Sequence, residues 1–298
     1  MPINYTLDFT QWVAVQQQRI EQVLDSTLPS ASNCPEALHS AMRYSALAGG
    51  KRVRALLCYA TAELCGTEIQ VADAAASAVE LIHAYSLVHD DMPCMDDDDL
   101  RRGKPSCHKQ YDDATALLVG DALQSLAFTV LSKPQLCANS AQQLAMVHLL
   151  ANASGSQGMA GGQAIDLSAV GQLMSQQGLA QMHRLKTGAL IEAAALLGAQ
   201  NGSPEQVASV KNYAQNIGLA FQVVDDILDT EADTHTLGKT AGKDANNHKP
   251  TYVTILGLNQ AKALANTLYQ AAIDALQPYG KNAQRLHELA IFITQRRF

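Results

Sequence analysis

Aromatic residues are scarce in this 298-residue chain, 5% of the total with one Trp, and Pro occurs only nine times. β-Branched and aromatic residues seldom alternate with polar ones, which argues against sheets and favours helix nearly throughout. The six cysteines, Cys34, Cys58, Cys65, Cys94, Cys107 and Cys137, form no C-x-x-C pair. Nothing ahead of them resembles a positively charged signal segment with an apolar core, so reduced thiols and a cytoplasmic protein are expected. Lys+Arg number 21 against 28 Asp+Glu, a net charge of −7, which argues against a nucleic-acid partner held on a broad basic face. No apolar run approaches the roughly 18 residues that cross a bilayer, so no membrane insertion is expected.

Alanine dominates what is there, and the pattern predicts an all-α protein of about ten helices. The expected spans are roughly 8–26, 34–48, 52–66, 70–92, 112–131, 138–155, 175–199, 204–230, 250–276 and 283–296. Breakers separate them: Gly49-Gly50, Pro93, Gly103-Lys104-Pro105, the glycines from Gly155 to Gly162, Asn201 to Pro204, and the polar stretch Thr234 to Pro250. No composition shift marks a linker, so one domain over 1–298 is expected.

Aspartate is unevenly distributed. Six of the 19 lie between Asp90 and Asp99, and three more are Asp225, Asp226 and Asp229. Asp225 and Asp229 are four apart and share a helix face, with Gln222 one turn earlier on the same face. Like charges there repel unless neutralised. A solvated acidic face is the alternative, but it fits poorly with Phe221, Val223, Val224, Ile227 and Leu228 around them. In the first cluster Pro93 should end or kink the helix that carries Asp90 and Asp91, letting Asp96 fold back toward Asp90. Oxygen ligands without His or Cys suit a hard cation, Mg²⁺ or Mn²⁺. Arg101 and Arg102 follow at once, and carboxylate-held Mg²⁺ beside guanidiniums is an arrangement that holds a diphosphate. An internal salt-bridge network among Asp97, Asp98, Asp99 and the two arginines is the competing reading, and some of it is expected.

Two such motifs about 135 positions apart, DDMPCMDDDDLRRG and FQVVDDILD, resemble those of trans-isoprenyl diphosphate synthases. So do Gly49 to Arg54 (GGKRVR), His83 to Asp91 (HAYSLVHDD), Gly162 to Leu167 (GQAIDL), Lys186-Thr187-Gly188, Gly238-Lys239-Thr240 and Lys249 to Tyr252 (KPTY), which together span 49 to 252. The resemblance implies a homodimeric bundle of antiparallel helices around a deep cavity, with both aspartate motifs facing each other across its mouth. It implies about three Mg²⁺ per site, held by Asp90, Asp91 and Asp96 on one side and Asp225 with Asp229 on the other. The allylic diphosphate would be caged further by Arg101, Lys186, Lys239 and Lys249, with Thr187 and Gln222 near the developing cation. Isopentenyl diphosphate would sit without metal on Gly50, Lys51, Arg54, His83 and Arg102. Helical phase agrees for His83, seven residues before Asp90 and about 20° from its face.

The implied reaction is condensation of isopentenyl diphosphate with dimethylallyl and then geranyl diphosphate, the leaving diphosphate taking the proton. In the family a bulky residue five positions before the first motif limits product length, which points to Tyr85, followed by Ser86, and to a C15 product, farnesyl diphosphate. Ideal-helix phase favours Ser86, about 40° from Asp90, over Tyr85 at about 140°. The alternatives are a C20-forming synthase, a terpene cyclase, a noncatalytic subunit of a heteromeric synthase and an acidic metal-binding protein.

Overall fold

The computed structural model describes residues 7–172, 174–231 and 250–295. Helices α1 (Phe9–Thr27), α2 (Glu36–Ala46), α3 (Val53–Cys65) and α4 (Ile69–Asp90) lead to a two-stranded hairpin, β1 (Leu100–Arg101) and β2 (Lys104–Pro105). Then come α5 (Cys107–Gln110), α6 (Asp113–Leu131), α7 (Ser140–Ser154), α8 (Met159–Ser168) and α9 (Gln176–His183). A π-helical turn, Arg184–Gly188, joins α9 to α10 (Ala189–Gly198). Helices α11 (Pro204–Glu231), α12 (Tyr252–Leu256), α13 (Leu258–Leu276) and, after a 3₁₀ segment, α14 (Gln284–Thr294) complete the described chain.

The all-α expectation holds, and most spans agree with the sequence pattern to within a few residues. Two do not. The glycines from Gly155 to Gly162 were expected to be loop, yet α8 begins at Met159, because Gly162 lets its backbone press on the π turn: a Cβ there would lie 2.1 Å from the Lys186 amide nitrogen. The span 250–276 is divided at Gly257, whose φ is +79°.

Helix α4 is the central element, packed by α3, α6 and α10. Its alanines at 72, 75, 76 and 78 are fully buried and let those neighbours approach closely. Helix α11 packs on α13 and α10, and a smaller apolar cluster of Leu179, Met182, Val223 and Tyr252 lies on its far half.

One expectation needs correction. Helices α4 and α6 are long and apolar enough to cross a bilayer by length and composition, with mean hydropathy 1.2 and 1.5 over their best windows. Uninterrupted apolar runs missed them because Asp73, Glu80 and His83 break the run in α4, and Asp121 and Gln124 the run in α6, while Ala, Leu, Ile and Val keep the mean high. Of the α4 window 72% is buried inside the protein, as in a core helix, whereas only 33% of the α6 window is, leaving Leu117 and Leu118 about half exposed.

One buried charge cluster sets the geometry ahead of α3. Glu80, on α4 and 2% exposed, accepts from Arg52 Nη1 at 3.0 Å and from the Ala55 amide at 3.1 Å. Arg52 also donates to Glu21 at 2.8 Å and to the Ala46 carbonyl at 2.7 Å. The second basic residue of GGKRVR is thereby an internal anchor, flanked by Lys51 and Arg54.

Candidate active site

The first aspartate motif folds as Pro93 requires. Helix α4 stops at Asp90, and the chain returns so that the Asp96 amide donates to the Asp90 carbonyl at 2.9 Å and the Asp98 amide to the Asp91 carbonyl at 3.1 Å. Burial pushes the Asp90 carboxyl up to about 6; the Lys186 charge opposes that and the neighbouring Asp96 adds to it. A half-buried carboxyl held against a second one is a site short of positive charge. Asp91 is placed differently. It is 2% exposed and accepts from Arg101, whose Nε lies 3.1 Å from both oxygens and whose Nη2 also donates to it.

The second motif is reached through the π turn, a feature common at functional sites. Lys186 and Thr187 are consecutive on it. Lys186 Nζ lies 2.6 Å from Asp166 Oδ2, and Asp166, on α8, is 5% exposed. Thr187 Oγ1 donates to Gln222 Oε1 at 3.2 Å, and Gln222 Nε2 lies 3.4 Å from Asp225 Oδ2. The turn therefore has Asp90 within the field of its lysine and Asp225 at the end of its threonine's hydrogen-bond chain. Asp229 is one helical turn beyond Asp225 and half-buried.

The basic residues gather at α3. Gly50 (φ +115°) passes so close to Arg102 that a Cβ would stand 2.7 Å from the guanidinium carbon, and Arg102 Nη1 donates to the Gly49 carbonyl. Lys51 is exposed beside them. Arg54 has its Nε buried without a hydrogen-bond partner among the described residues, and it feels Glu80 and Asp225 as well as Arg102. His83 is held well below the usual imidazole range, first by burial and then by the charges of Arg54 and Arg102, so it stays neutral among guanidiniums.

A cavity of about 360 Å³ opens below Asp90, Lys186 and Thr187, within the range of small-ligand pockets. Tyr85, Ser86, Met159, Ala164 and Leu167 also line it. Both candidate length residues line it, so helical phase did not decide between them. Tyr85 is 8% exposed, packs edge-to-face on His89 at 5.8 Å and hydrogen bonds to Gln124, while Ser86 Oγ donates to the His83 carbonyl. Lys239 and Lys249 lie outside the described residues.

Three further groups near the site carry roles that the motifs do not reveal. Asp166 pairs with Lys186. Asp226, buried, accepts the Tyr252 amide at 2.7 Å and so ties α12 to α11. Tyr252 stacks on His183 at 5.7 Å, just ahead of the π turn. A carboxylate in an apolar segment was the available signal, but its partner is distant in sequence.

His183 also yields a measurable pH effect. Burial drives it down to about 4, with Asp166 opposing and Lys186 assisting. The unfolded chain therefore takes up the proton first, and the stability that neutral His183 preserves is complete above about 6.5 and is lost as pH falls toward 4. This group should make the protein about 2 kcal/mol less stable at pH 4.5 than at pH 7. Urea denaturation at both pH values should show a smaller acid loss in His183→Gln; an equal loss would dismiss the assignment.

Residues 35–285 match the polyprenyl synthetase family. The chain is 45% identical over 290 residues to the farnesyl diphosphate synthase of Haemophilus influenzae, covering 95% of this chain and 98% of that one. It is 44% identical over 297 residues to the farnesyl diphosphate synthase of Escherichia coli, covering 97% and 99%. The crystal structure of a geranyltransferase from Helicobacter pylori, complexed with magnesium and isoprenyl diphosphate, superposes with a TM-score of 0.83 at 30% identity, covering 97% of each chain. An aspartate pair, a lysine-threonine turn and a basic patch around one tyrosine-walled cavity thus sit in a fold and a sequence that agree, and the chain belongs to the polyprenyl synthetase family.

Proposed function

We propose that this chain condenses isopentenyl diphosphate with dimethylallyl diphosphate and then with geranyl diphosphate to give farnesyl diphosphate. The observation that carries the reading is one cavity lined both by the charged Asp90, Lys186 and Arg54 and by the apolar Met159 and Leu167, with Tyr85 in its wall. Such a shape takes a diphosphate with a hydrocarbon tail. The similarity to two bacterial farnesyl diphosphate synthases supports the C15 product.

The acids fit Mg²⁺ as a resident cofactor: the proposed ligands are oxygens only, and the Asp90 carboxyl, raised by burial and by Asp96, is only partly offset by Lys186 and Arg101. Asp90, Asp96, Asp225 and Asp229 would hold it, while Asp91, engaged by Arg101, is better read as the group that aims that guanidinium at the allylic diphosphate. Bound Mg²⁺ supplies charge stabilisation to the departing diphosphate. Lys186, oriented by Asp166, donates to the same leaving group, with Lys239 and Lys249 as further cations. As the C–O bond breaks, its electron pair leaves with the diphosphate, and the oxygens of Thr187 and Gln222 face the allylic cation that remains. Arg54, Arg102, Lys51 and neutral His83, with the Gly50 backbone, hold the second diphosphate so that its alkene meets that cation. The proton lost afterwards passes to the leaving diphosphate. A homodimer is part of the proposal, and the half-exposed Leu117 and Leu118 on α6 support it.

Incubating the purified chain with isopentenyl and dimethylallyl diphosphates in Mg²⁺, then dephosphorylating and chromatographing the alcohols, should give farnesol as the main product. Chiefly C20 alcohol would assign a geranylgeranyl diphosphate synthase instead, and no product would assign a noncatalytic subunit.

A further inference from the structure

Behind the first aspartate motif stands a second cluster that the condensation does not use. One ligand atom each from Asp97, Asp99 and His108 lies within 4.8 Å of the others. The two aspartates are exposed, on the loop just past Asp96, and His108 is 6% exposed, on α5. Acidic residues alone would be an ordinary solvated loop. The imidazole changes that. Its Nδ1 is 3.0 Å from Ser106 Oγ, whereas its Nε2 is buried and has no hydrogen-bond partner among the described residues. With the Nδ1 proton donated to the serine, Nε2 presents an unused lone pair beside two carboxylates. A polar neighbour that fixes the ring and its tautomer is the usual second layer of a metal-binding histidine.

The charge arrangement leaves room for a dication. Lys109 Nζ lies 3.0 Å from one oxygen of Asp99, leaving the other available, and Arg101 is 3.8 Å from Asp98. Asp97 has no ion pair among the described residues. It stands at φ +47°, a left-handed backbone that Asp tolerates better than most residues.

We propose that Asp97, Asp99 and His108 bind a transition-metal dication of the Zn²⁺ class, at a site separate from the Mg²⁺ cage of Asp90, Asp96, Asp225 and Asp229. The donor set decides the class: an imidazole nitrogen with two carboxylates suits Zn²⁺, Co²⁺ or Mn²⁺, whereas Mg²⁺ prefers oxygen and water. Tetrahedral Zn²⁺ places its ligand atoms about 3.3–3.5 Å apart. Exposed carboxylates on a loop close that gap by rotation, and water completes the shell. Bound there, the ion ties the loop that carries Asp96 and leads into β1 to α5 behind it.

The test uses Co²⁺ as a spectroscopic stand-in for Zn²⁺. The full-length chain, stripped of metal and then saturated with Mg²⁺, is titrated with Co²⁺ and followed by visible absorption. About one equivalent should bind, with bands characteristic of nitrogen ligation. Asp90→Ala should keep that signal, because it touches only the oxygen cage. His108→Gln should abolish it. Asp99→Asn, on the surface where folding is not at stake, should weaken Co²⁺ binding by about tenfold or more while Mg²⁺-supported turnover stays within about twofold. Ser106→Ala should weaken it by about 10- to 100-fold. Full-strength binding in both Asp99→Asn and His108→Gln overturns the site, and so does loss of the signal in Asp90→Ala alone.

Discussion

Asp90→Ala should lower condensation turnover in Mg²⁺ by about 10³-fold, roughly 4 kcal/mol of transition-state stabilisation. Asp90 ends α4 at the cavity mouth, the Asp96 amide is bonded to its carbonyl, and Lys186 is the cation acting most strongly on it. Burial with a second acid nearby raises its pKa to about 6, so at pH 7 an ionised Asp90 burdens the metal-free fold. The folded state holds this proton more tightly than the unfolded chain, so the contribution is favourable below about 4 and is lost as pH rises through about 6. Removing the carboxyl should therefore leave the metal-free protein as stable as before, or more stable by up to about 3 kcal/mol at pH 7. Turnover and a urea midpoint measured on the same preparation separate the two effects. A variant that turns over within about tenfold of the unaltered chain would remove Asp90 from the metal cage, and a collapsed midpoint would give it a structural role instead.

Tyr85→Ala should move the product distribution from C15 toward C20. The ring is 8% exposed, lines the cavity, packs edge-to-face on His89 and is tethered through its hydroxyl to Gln124. Truncation to a methyl group extends the apolar end of the cavity by most of a phenol ring. One further isoprenoid unit adds five carbons, and burying them at about 0.8 kcal/mol per methylene gives the longer chain roughly 4 kcal/mol to stay bound and react again. The same truncation of a packed aromatic costs about 3–5 kcal/mol of stability, so product analysis belongs with a thermal melt at the assay temperature. Only C15 alcohol from a folded variant would dismiss Tyr85 as the limiting wall, leaving Ser86 on the adjoining turn as the next residue to enlarge.

Much of this molecule follows from local pattern. Helices α1, α4, α6 and α11 were legible because Ala, Leu and Val recur without strand-like alternation over about 20 residues, and Pro93 marked where α4 had to stop. The i, i+4 spacing of Asp225 and Asp229 set them on one face without knowledge of a partner. Helix α8 was not legible. Its glycines read as breakers in isolation, and what makes Gly162 helical is the π turn pressed against it. Apolar runs likewise passed over α4 and α6 as long apolar helices, because isolated polar residues break a run while Ala, Leu, Ile and Val hold the mean hydropathy up.

For the site, residue type and order identified the carboxylates, the lysine-threonine turn and the basic patch, since chemistry restricts which side chains hold a diphosphate. Order could not say which acid meets which base. Asp91 turns to Arg101, Asp166 to Lys186, Asp226 to the Tyr252 amide and Glu80 to Arg52. Each pairing except the first joins residues at least 20 positions apart. Helical phase likewise could not choose between Tyr85 and Ser86, because a wall is defined by what packs behind it as well as by angle. The sequence by itself determined the helices and the two acidic clusters, for these depend on spacing along the chain. Only the tertiary structure decided which charges are consumed internally and which face the cavity, because burial and pairing are set by helices that approach from distant parts of the chain.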